Sequence, residues 1–386
     1  MRTEEIQAAL RAEGLDGWLF FDHHVRDPLA YRVLGLPTDM HVTRRWYYFV
    51  PAAGEPRGLV HRIEPQKLDS LPGEKRLYSR WSEQVDRIRE LLRGARSIAM
   101  QFSPDCAIPY VSMVDGGTVD LIRSTGVEVR SSADLVQIFE ARWTAHQLAS
   151  HMEAGDKMDR LRAEAFDLIR SRLRDGVRVT EWDVRSHLLR RFSEEGLMTD
   201  HGPDVAVNAH ASDPHYEPTP ERCAEIRRGD LVLIDMWAKL KRADAVYYDI
   251  TWTGFCGESP REDVARVFEI VRDARDAGVE AVCSGAAKQG FEVDDAVRAH
   301  IDRHGYGEYF IHRTGHSIGT NVHGAGANMD NFETHDVRRI LAGTGFSIEP
   351  GVYMPEFGIR SEVNVYVGED GARVTGEVQR ELLTLV

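Results

Sequence analysis

The chain has 386 residues, a length that predicts two domains because a single hydrophobic core rarely grows so large. Its residues are 42% hydrophobic and 28% charged, proportions typical of soluble globular proteins, and the net charge of -14 argues against nucleic-acid or membrane partners, which need basic patches. The N-terminal segment MRTEEIQAALRAEG has no apolar signal-peptide core, and no run of about 18 apolar residues occurs, so we expect a cytoplasmic protein with a small ligand.

Residues 1–140 alternate helical and strand patterns, which predicts a separate α/β domain. A helix is expected from Thr3 to Gly14, and strands are expected at the apolar runs 18–21, 46–50 and 97–100. We place the domain boundary near residue 140.

Residues 141–386 begin with helical patterns. One helix is expected over 144–176, and a second starts with a capping box at 180–183. A third should begin with Pro260 in its first turn, and a fourth should cover 293–301.

The segment 229–253 carries two aspartates, each directly after a short apolar run. Asp235 ends the run 231–234 and Asp249 ends the run 246–248, which predicts two buried strands whose carboxylates face each other at one depth in a sheet. Like charges so close cannot both stay ionised in a low dielectric unless a cation or a shared proton neutralises them. Each aspartate alone would equally suit an exposed turn, so the remaining chain has to decide.

A group of histidines and two further acids follow. His312, His316 and His323 lie among glycines that argue against a regular helix, so a helical HExxH zinc site is not expected. Glu349 and Glu362 interrupt apolar strand-like segments, which is costly for an unpaired acid. The most economical interpretation is that four acids and one histidine meet at metal.

Charge counting supports two divalent cations, because four carboxylates balance them and a neutral imidazole adds no charge. A donor set of many oxygens and one nitrogen favours Mn²⁺, Co²⁺ or Fe²⁺ over structural zinc, which prefers cysteine-rich sites.

The cysteines form no CxxC pair and are expected to be reduced, without a chemical role. They are Cys106, Cys223, Cys256 and Cys283.

The order of these five residues resembles the metal-ligand series of the pita-bread metallopeptidases, the family of methionine aminopeptidase, prolidase, aminopeptidase P and creatinase. The resemblance covers roughly 144–386. It implies a two-domain α/β protein, with an N-terminal creatinase-like α/β domain (1–140) and a C-terminal pita-bread α+β catalytic domain (141–386), as in the prolidase branch. The motifs that carry it are GDLVLID ending at Asp235, DIT from Asp249, the three histidines, IEPG around Glu349 and RSE ending at Glu362.

The resemblance implies a role for each ligand. Asp235 would chelate one metal, Asp249 and Glu362 would bridge both, and His316 and Glu349 would complete the second. The two ions per subunit would be Mn²⁺ or Co²⁺, with Zn²⁺ and Fe²⁺ as alternatives.

The resemblance also implies the chemistry, which is hydrolysis of Xaa-Pro dipeptides by a homodimeric metallopeptidase. A metal-bridging water would attack the scissile carbonyl, with Glu349 as general base and His215 and His323 stabilising the charged intermediate. His312 and Arg360 would bind substrate. Apart from the resemblance, Arg338 in the segment 336–339 is a second candidate, after Arg360, for pairing with the substrate's C-terminal carboxylate.

Three departures from the family pattern leave the substrate open. The two aspartates are 14 residues apart, which is longer than usual, Met236-Trp237 replaces a glycine-containing turn, and Trp252 stands where many relatives have arginine. Aminopeptidase P-like cleavage of longer Xaa-Pro peptides, or a metal-dependent lyase or other hydrolase on the same scaffold, are the alternatives. A creatinase-like enzyme or a non-enzymatic binding protein fits less well, because those chains usually lose the ligands.

The segment 315–319 also matches the GxSxG motif of serine hydrolases. That motif needs an acid and then a histidine later in the chain, but only His323 and His335 follow Ser317. We interpret the match as a coincidence around a metal ligand.

Overall fold

The computed structural model describes residues 2–386, which form two compact units divided between Glu140 and Ala141. Each unit mixes helices with β-sheet, so the expected two-domain α/β fold class is confirmed. None of the helices in residues 2–386 combines the length and apolar character that a membrane crossing requires.

The N-terminal unit is built on one six-stranded sheet with the strand order β4-β3-β2-β1-β5-β6. All six residues of β1 are buried, which explains its continuous apolar sequence. The helix expected from Thr3 and the three expected strands are present. The elements are α1 (Thr3–Ala12), β1 (Gly17–Asp22), α2 (Pro28–Leu34), β2 (Trp46–Pro51), β3 (Arg57–His61), β4 (Glu74–Tyr78), α3 (Trp81–Leu91), β5 (Ser97–Met100), α4 (Gly116–Arg123), β6 (Glu128–Ser131) and α5 (Ala133–Glu140).

The C-terminal unit packs four helices with short sheets. Its helices are α6 (Ala145–Arg174), α7 (Glu181–Glu194), α8 (Glu262–Cys283) and α9 (Gly290–Arg303). Its strands are β7 (Leu197–Met198), β8 (Asp204–Val207), β9 (Leu231–Leu240), β10 (Tyr248–Phe255), β11 (Ser317–Ile318), β12 (Gly345–Ile348), β13 (Gly351–Tyr353), β14 (Gly358–Arg360), β15 (Val363–Gly368), β16 (Gly371–Thr375) and β17 (Leu383–Thr384).

The starts of these helices follow local sequence signals, with one exception. Thr144 and Thr180 each close a capping box at the start of α6 and α7, so the expected boundaries hold there. Pro260 does not start α8, because Arg261 has an extended backbone (ψ 148°) and acts as the N-cap residue. The helix therefore begins at Glu262, two residues after the position expected from the proline.

Strand β9 organises the site-bearing part of this unit. It pairs with β10, β8 and β7, all antiparallel. The sequence predicted that Asp235 and Asp249 end their strands and face each other, and both points need correction. Asp235 lies in the middle of β9, opposite Thr251, while Asp249 lies near the start of β10, opposite Trp237. The strand continues past Asp235 because the following residues, up to Leu240, keep a buried face.

Candidate metal centre and active-site cavity

The five proposed ligands come from three places in the C-terminal unit. Asp235 and Asp249 project from the same face of the β9–β10 pair, since their register positions differ by two residues. His316 directly precedes β11, Glu349 directly follows β12, and Glu362 directly precedes β15.

Backbone hydrogen bonds tie these strand ends together. The amide of Glu362 donates to the carbonyl of Thr251 (3.1 Å), which fixes β15 beside β10. The amide of Glu349 donates to Thr314 (2.7 Å), and that of Ser347 donates to His316 (2.9 Å). The ligands thus lie within or directly beside paired strands, which hold them more firmly than loops would.

The side chains of this cluster converge. His316 Nε2 lies 3.3 Å from Glu349 Oε1 and 3.5 Å from Asp249 Oδ2. Asp249, His316 and Glu362 each offer a ligand atom within 4.8 Å of the other two. His316 Nδ1 lies 3.2 Å from its neighbour's carbonyl oxygen at Ser317, an acceptor that places the proton on Nδ1 and leaves the Nε2 lone pair for a metal.

Two buried oxygens in the cluster have no hydrogen-bond partner within residues 2–386. Arg360 Nη2 donates to Asp235 Oδ2 (2.5 Å), and Thr251 Oγ1 donates to Glu362 Oε2 (2.8 Å). The other oxygen of each acid, Asp235 Oδ1 and Glu362 Oε1, is buried and unpaired. A buried carboxylate oxygen without a partner is costly, and a cation at this place would remove that cost.

The pKa shifts of the acids in this cluster also indicate that a cation is needed there. Burial, followed by the charge of Asp235, raises the pKa of Asp249 well above its ordinary value. Burial and the charge of Asp249 do the same to the pKa of Glu362, and burial raises the pKa of Glu349 although His316 and Arg360 oppose it. The oxygen-rich donor set with one imidazole therefore fits divalent cations.

The two arginines expected to bind substrate have other partners. Arg360 lines the cavity, but it also donates to Thr251 Oγ1 (3.1 Å) and to the Tyr353 hydroxyl (3.0 Å) besides its ion pair with Asp235. It therefore orients a metal-ligand candidate. Arg338 does not line the cavity, and the prediction for it needs correction. Its side chain is 1% exposed and pairs with Asp336 through two nitrogens, so it cannot reach a substrate carboxylate.

The other three histidines predicted for the site line one cavity together with the ligands. His312 Nε2 lies 2.6 Å from the Tyr353 hydroxyl and its Nδ1 lies 2.6 Å from the carbonyl of Arg313, so both ring nitrogens are engaged. The His323 ring lies edge-on to His316 with centroids 4.3 Å apart, and burial lowers its pKa to about 3. His215 is exposed at the cavity rim.

This cavity has a volume of about 720 Å³, which is large enough for a small peptide. Sequence reasoning missed several of its lining residues. They include two charged residues, Asp204 and Arg313, and Trp237, which forms an apolar part of the wall. A signal for Asp204 existed, because it adjoins the apolar run 205–207 much as Asp235 adjoins its own run.

Asp204 lies opposite Asp235 in the β8–β9 pair. Burial, together with the charge of Asp235, raises the pKa of Asp204 to about 8. A cation bound to Asp235 would neutralise that negative charge. Bound metal would therefore favour the ionised form of Asp204.

The fold and the cluster define a hydrolase of the metal-dependent class with a buried carboxylate-rich centre. The chain belongs to metallopeptidase family M24, whose family model matches residues 149–369. It is thus a metallopeptidase with the pita-bread catalytic fold, as the sequence predicted. The M24 family is metal-dependent.

Curated relatives are dipeptidases. The probable dipeptidase PepE of Mycobacterium tuberculosis is 32% identical over 87% of this chain and 84% of that protein. The Xaa-Pro dipeptidase of Pyrococcus furiosus is 35% identical, but the match covers only 46% of this chain and 48% of that protein.

Solved structures share the fold along the full chain. Dipeptidase PepE from Mycobacterium ulcerans matches with a TM-score of 0.66 and 25% identity, over 100% of this chain and 97% of that one. An X-prolyl aminopeptidase from Caenorhabditis elegans, described as a cytosolic enzyme with a di-nuclear active site, matches with a TM-score of 0.64 over 97% of this chain and 61% of that one. At 17% identity, this second likeness shows the fold alone.

Proposed function

We propose that this metallopeptidase hydrolyses Xaa-Pro dipeptides and uses two divalent cations held by the five clustered residues. The observation that carries the proposal is the cluster itself, in which buried carboxylate oxygens lack partners beside a cavity of peptide size. The names of the curated relatives support the substrate class. The proposed ligands are Asp235, Asp249, His316, Glu349 and Glu362.

Divalent cations bound here would supply an activated water nucleophile and would polarise the scissile carbonyl. The oxygen-rich donor set favours Mn²⁺ or Co²⁺. Proton transfer and stabilisation of the developing negative charge would be performed by side chains of this protein.

Glu349 is the proposed general base. It lines the cavity, and the Ser347 hydroxyl donates to its Oε1 (3.0 Å), which fixes the carboxylate next to His316. Glu349 would take a proton from the attacking water and pass it to the proline nitrogen that leaves. His215 and His323 would donate hydrogen bonds to the oxygen on which negative charge develops.

A proline substrate suits a dedicated enzyme. The Xaa-Pro bond is a tertiary amide without an N–H group, so proteases that bind substrates as an added strand recognise it poorly. A site that holds the carbonyl by charge does not need that N–H group.

Substrate length gives the test of this proposal. We predict that Xaa-Pro dipeptides are cleaved 10- to 100-fold more efficiently than Xaa-Pro-amides, since a charge-assisted pair with the free carboxylate contributes about 1.5–3 kcal/mol. The proposed cation for that pair is Arg313, which lines the cavity with its guanidinium 3.9 Å from Glu333, because Arg360 is held by Asp235. The measurement is kcat/KM for Xaa-Pro, Xaa-Pro-amide and Xaa-Pro-Xaa.

Each contrary outcome points to a different enzyme. Equal or better cleavage of the tripeptide would indicate an aminopeptidase P-like activity. No cleavage of the three compounds would favour a lyase or another hydrolase.

We further propose that the protein is a homodimer. The proposal rests on the prolidase-like N-terminal domain that the sequence predicts. Light scattering at micromolar concentration is expected to give twice the chain mass of 43.6 kDa. A monomer mass with full activity would contradict this prediction.

A further inference from the structure

Asp204 is an acid that belongs neither to the proposed metal ligands nor to the residues of the proposed reaction. Its residue is only 8% exposed, and it lines the active-site cavity. Because directly opposed residues of an antiparallel pair project to the same face, its side chain lies beside that of Asp235. Within residues 2–386, no hydrogen bond reaches its carboxylate.

Two arginines act on the charge of Asp204, Arg360 and Arg185, but within residues 2–386 neither donates a hydrogen bond to it. Arg185 Nη1 is 3.8 Å from Asp204 Oδ1, beyond hydrogen-bond distance. Arg185 donates to Glu217 through Nη2, its side chain is 7% exposed, and its Nε and Nη1 have no hydrogen-bond partner in the described part of the chain. Both arginines donate to other acids, Arg185 to Glu217 and Arg360 to Asp235, so the Asp204 carboxylate lines the cavity without a hydrogen bond from either.

We propose that Asp204 is the binding site for the primary ammonium group of the substrate's N-terminal residue. The inference rests on the proposed function, in which a free amino terminus distinguishes the substrate from an internal peptide segment. A carboxylate that lines the cavity and accepts no hydrogen bond within residues 2–386 is the acceptor that such a group needs.

Distances along the peptide support this placement. The α-nitrogen is two bonds from the scissile carbonyl carbon, about 2.5 Å away. Opposed residues in an antiparallel pair have Cα atoms about 4.5–5.5 Å apart. A carbonyl held near Asp235 therefore places its own α-ammonium within reach of the next carboxylate across the sheet, which is Asp204.

Asp204 also lies on the side of Asp235 away from the other ligands. Asp249 and Glu362 approach from β10 and the start of β15, whereas Asp204 belongs to β8 on the opposite edge of β9. The ammonium site and the cation centre thus share Asp235 as their boundary.

The test compares Ala-Pro with propionyl-Pro, which has the same shape but hydrogen in place of the α-amino group. Binding is measured by calorimetry with metal-loaded Glu349→Gln protein, in which turnover is suppressed, and kcat/KM is measured with the wild-type enzyme. We expect the loss of the amino group to weaken binding and to lower kcat/KM by about 10- to 100-fold. Equal binding of the two ligands would overturn the inference.

Asp204→Asn keeps the size of the side chain and removes its charge. In this variant the preference for Ala-Pro is expected to fall below about threefold, with unchanged metal content and melting temperature. Asp200→Asn is the matched control, because it removes one negative charge from the same cavity at an exposed position and should keep the full preference. If the asparagine variant does not fold, Asp204→Ser gives the same comparison.

Three outcomes would contradict the assignment. A retained preference in Asp204→Asn would exclude Asp204 as the acceptor, and an equal loss in both variants would indicate a general effect of cavity charge. Loss of bound metal in Asp204→Asn would indicate that Asp204 is a metal ligand instead. If Ala-Pro binds with the expected preference but is not hydrolysed, the proposed function fails while this inference stands.

Discussion

Removal of metal is expected to abolish hydrolysis of Xaa-Pro dipeptides, and Mn²⁺ or Co²⁺ should restore it. The reason is that Asp235 Oδ1 and Glu362 Oε1 are buried without a hydrogen-bond partner within residues 2–386, beside the Nε2 atom of His316 and the carboxylates of Asp249 and Glu349. The measurement is activity after exhaustive dialysis against a chelator, with metal content determined on the same sample. Full activity in a demonstrably metal-free sample would contradict the prediction.

Stability gives an independent readout of the same centre. Folding raises the pKa values of Asp249 and Glu362, so the folded chain without metal holds their protons more tightly than the unfolded chain does. Its unfolding free energy should therefore fall as the pH rises above the ordinary carboxyl range of about 4. Bound cations neutralise these acids, so the metal-induced rise in Tm is expected to be larger at pH 8 than at pH 6. An equal rise at both values would argue against binding by these acids.

Glu349→Gln is expected to lower kcat by about 10²-fold or more, the usual scale for a lost general base. Glutamine keeps the size of the side chain and one oxygen that can accept from Ser347, so the local geometry should persist. The measurement is kcat at saturating Xaa-Pro dipeptide, together with the metal content of the variant.

Two comparisons make the Glu349 result interpretable. Glu369→Gln changes an exposed acid between β15 and β16 and should leave kcat unchanged. A Glu349→Gln protein that retains its metal and near-wild-type turnover would remove Glu349 from the role of base.

The sequence predicted helices α1 and α6 to α9 and the metal-ligand candidates because their signals are local. A capping-box sequence marks the start of α7, and an acid at an apolar run marks Asp235 or Glu362 whether or not a strand ends there. The relative position of Asp235 and Asp249 was wrong, because strand register depends on how far the β9–β10 hairpin extends. The apolar run before Asp235 says nothing about the buried face that continues to Leu240.

Roles that depend on long-range partners were harder to predict. Arg338 was assigned to the substrate's carboxylate as a cation, but its ion pair with Asp336 can be seen only in the folded chain. Arg360 lines the cavity, and its partner Asp235 is 125 residues away in the sequence. Asp204 was missed for the same reason, since its importance comes from its pairing with β9.

The most direct test of the central claim is the release of free proline from a panel of Xaa-Pro dipeptides by the metal-loaded protein in Mn²⁺, Co²⁺ and Zn²⁺. The account predicts proline release from at least the small and aliphatic Xaa-Pro members, and none once the metal has been removed. A metal-loaded, folded protein that releases no proline from the whole panel would contradict it.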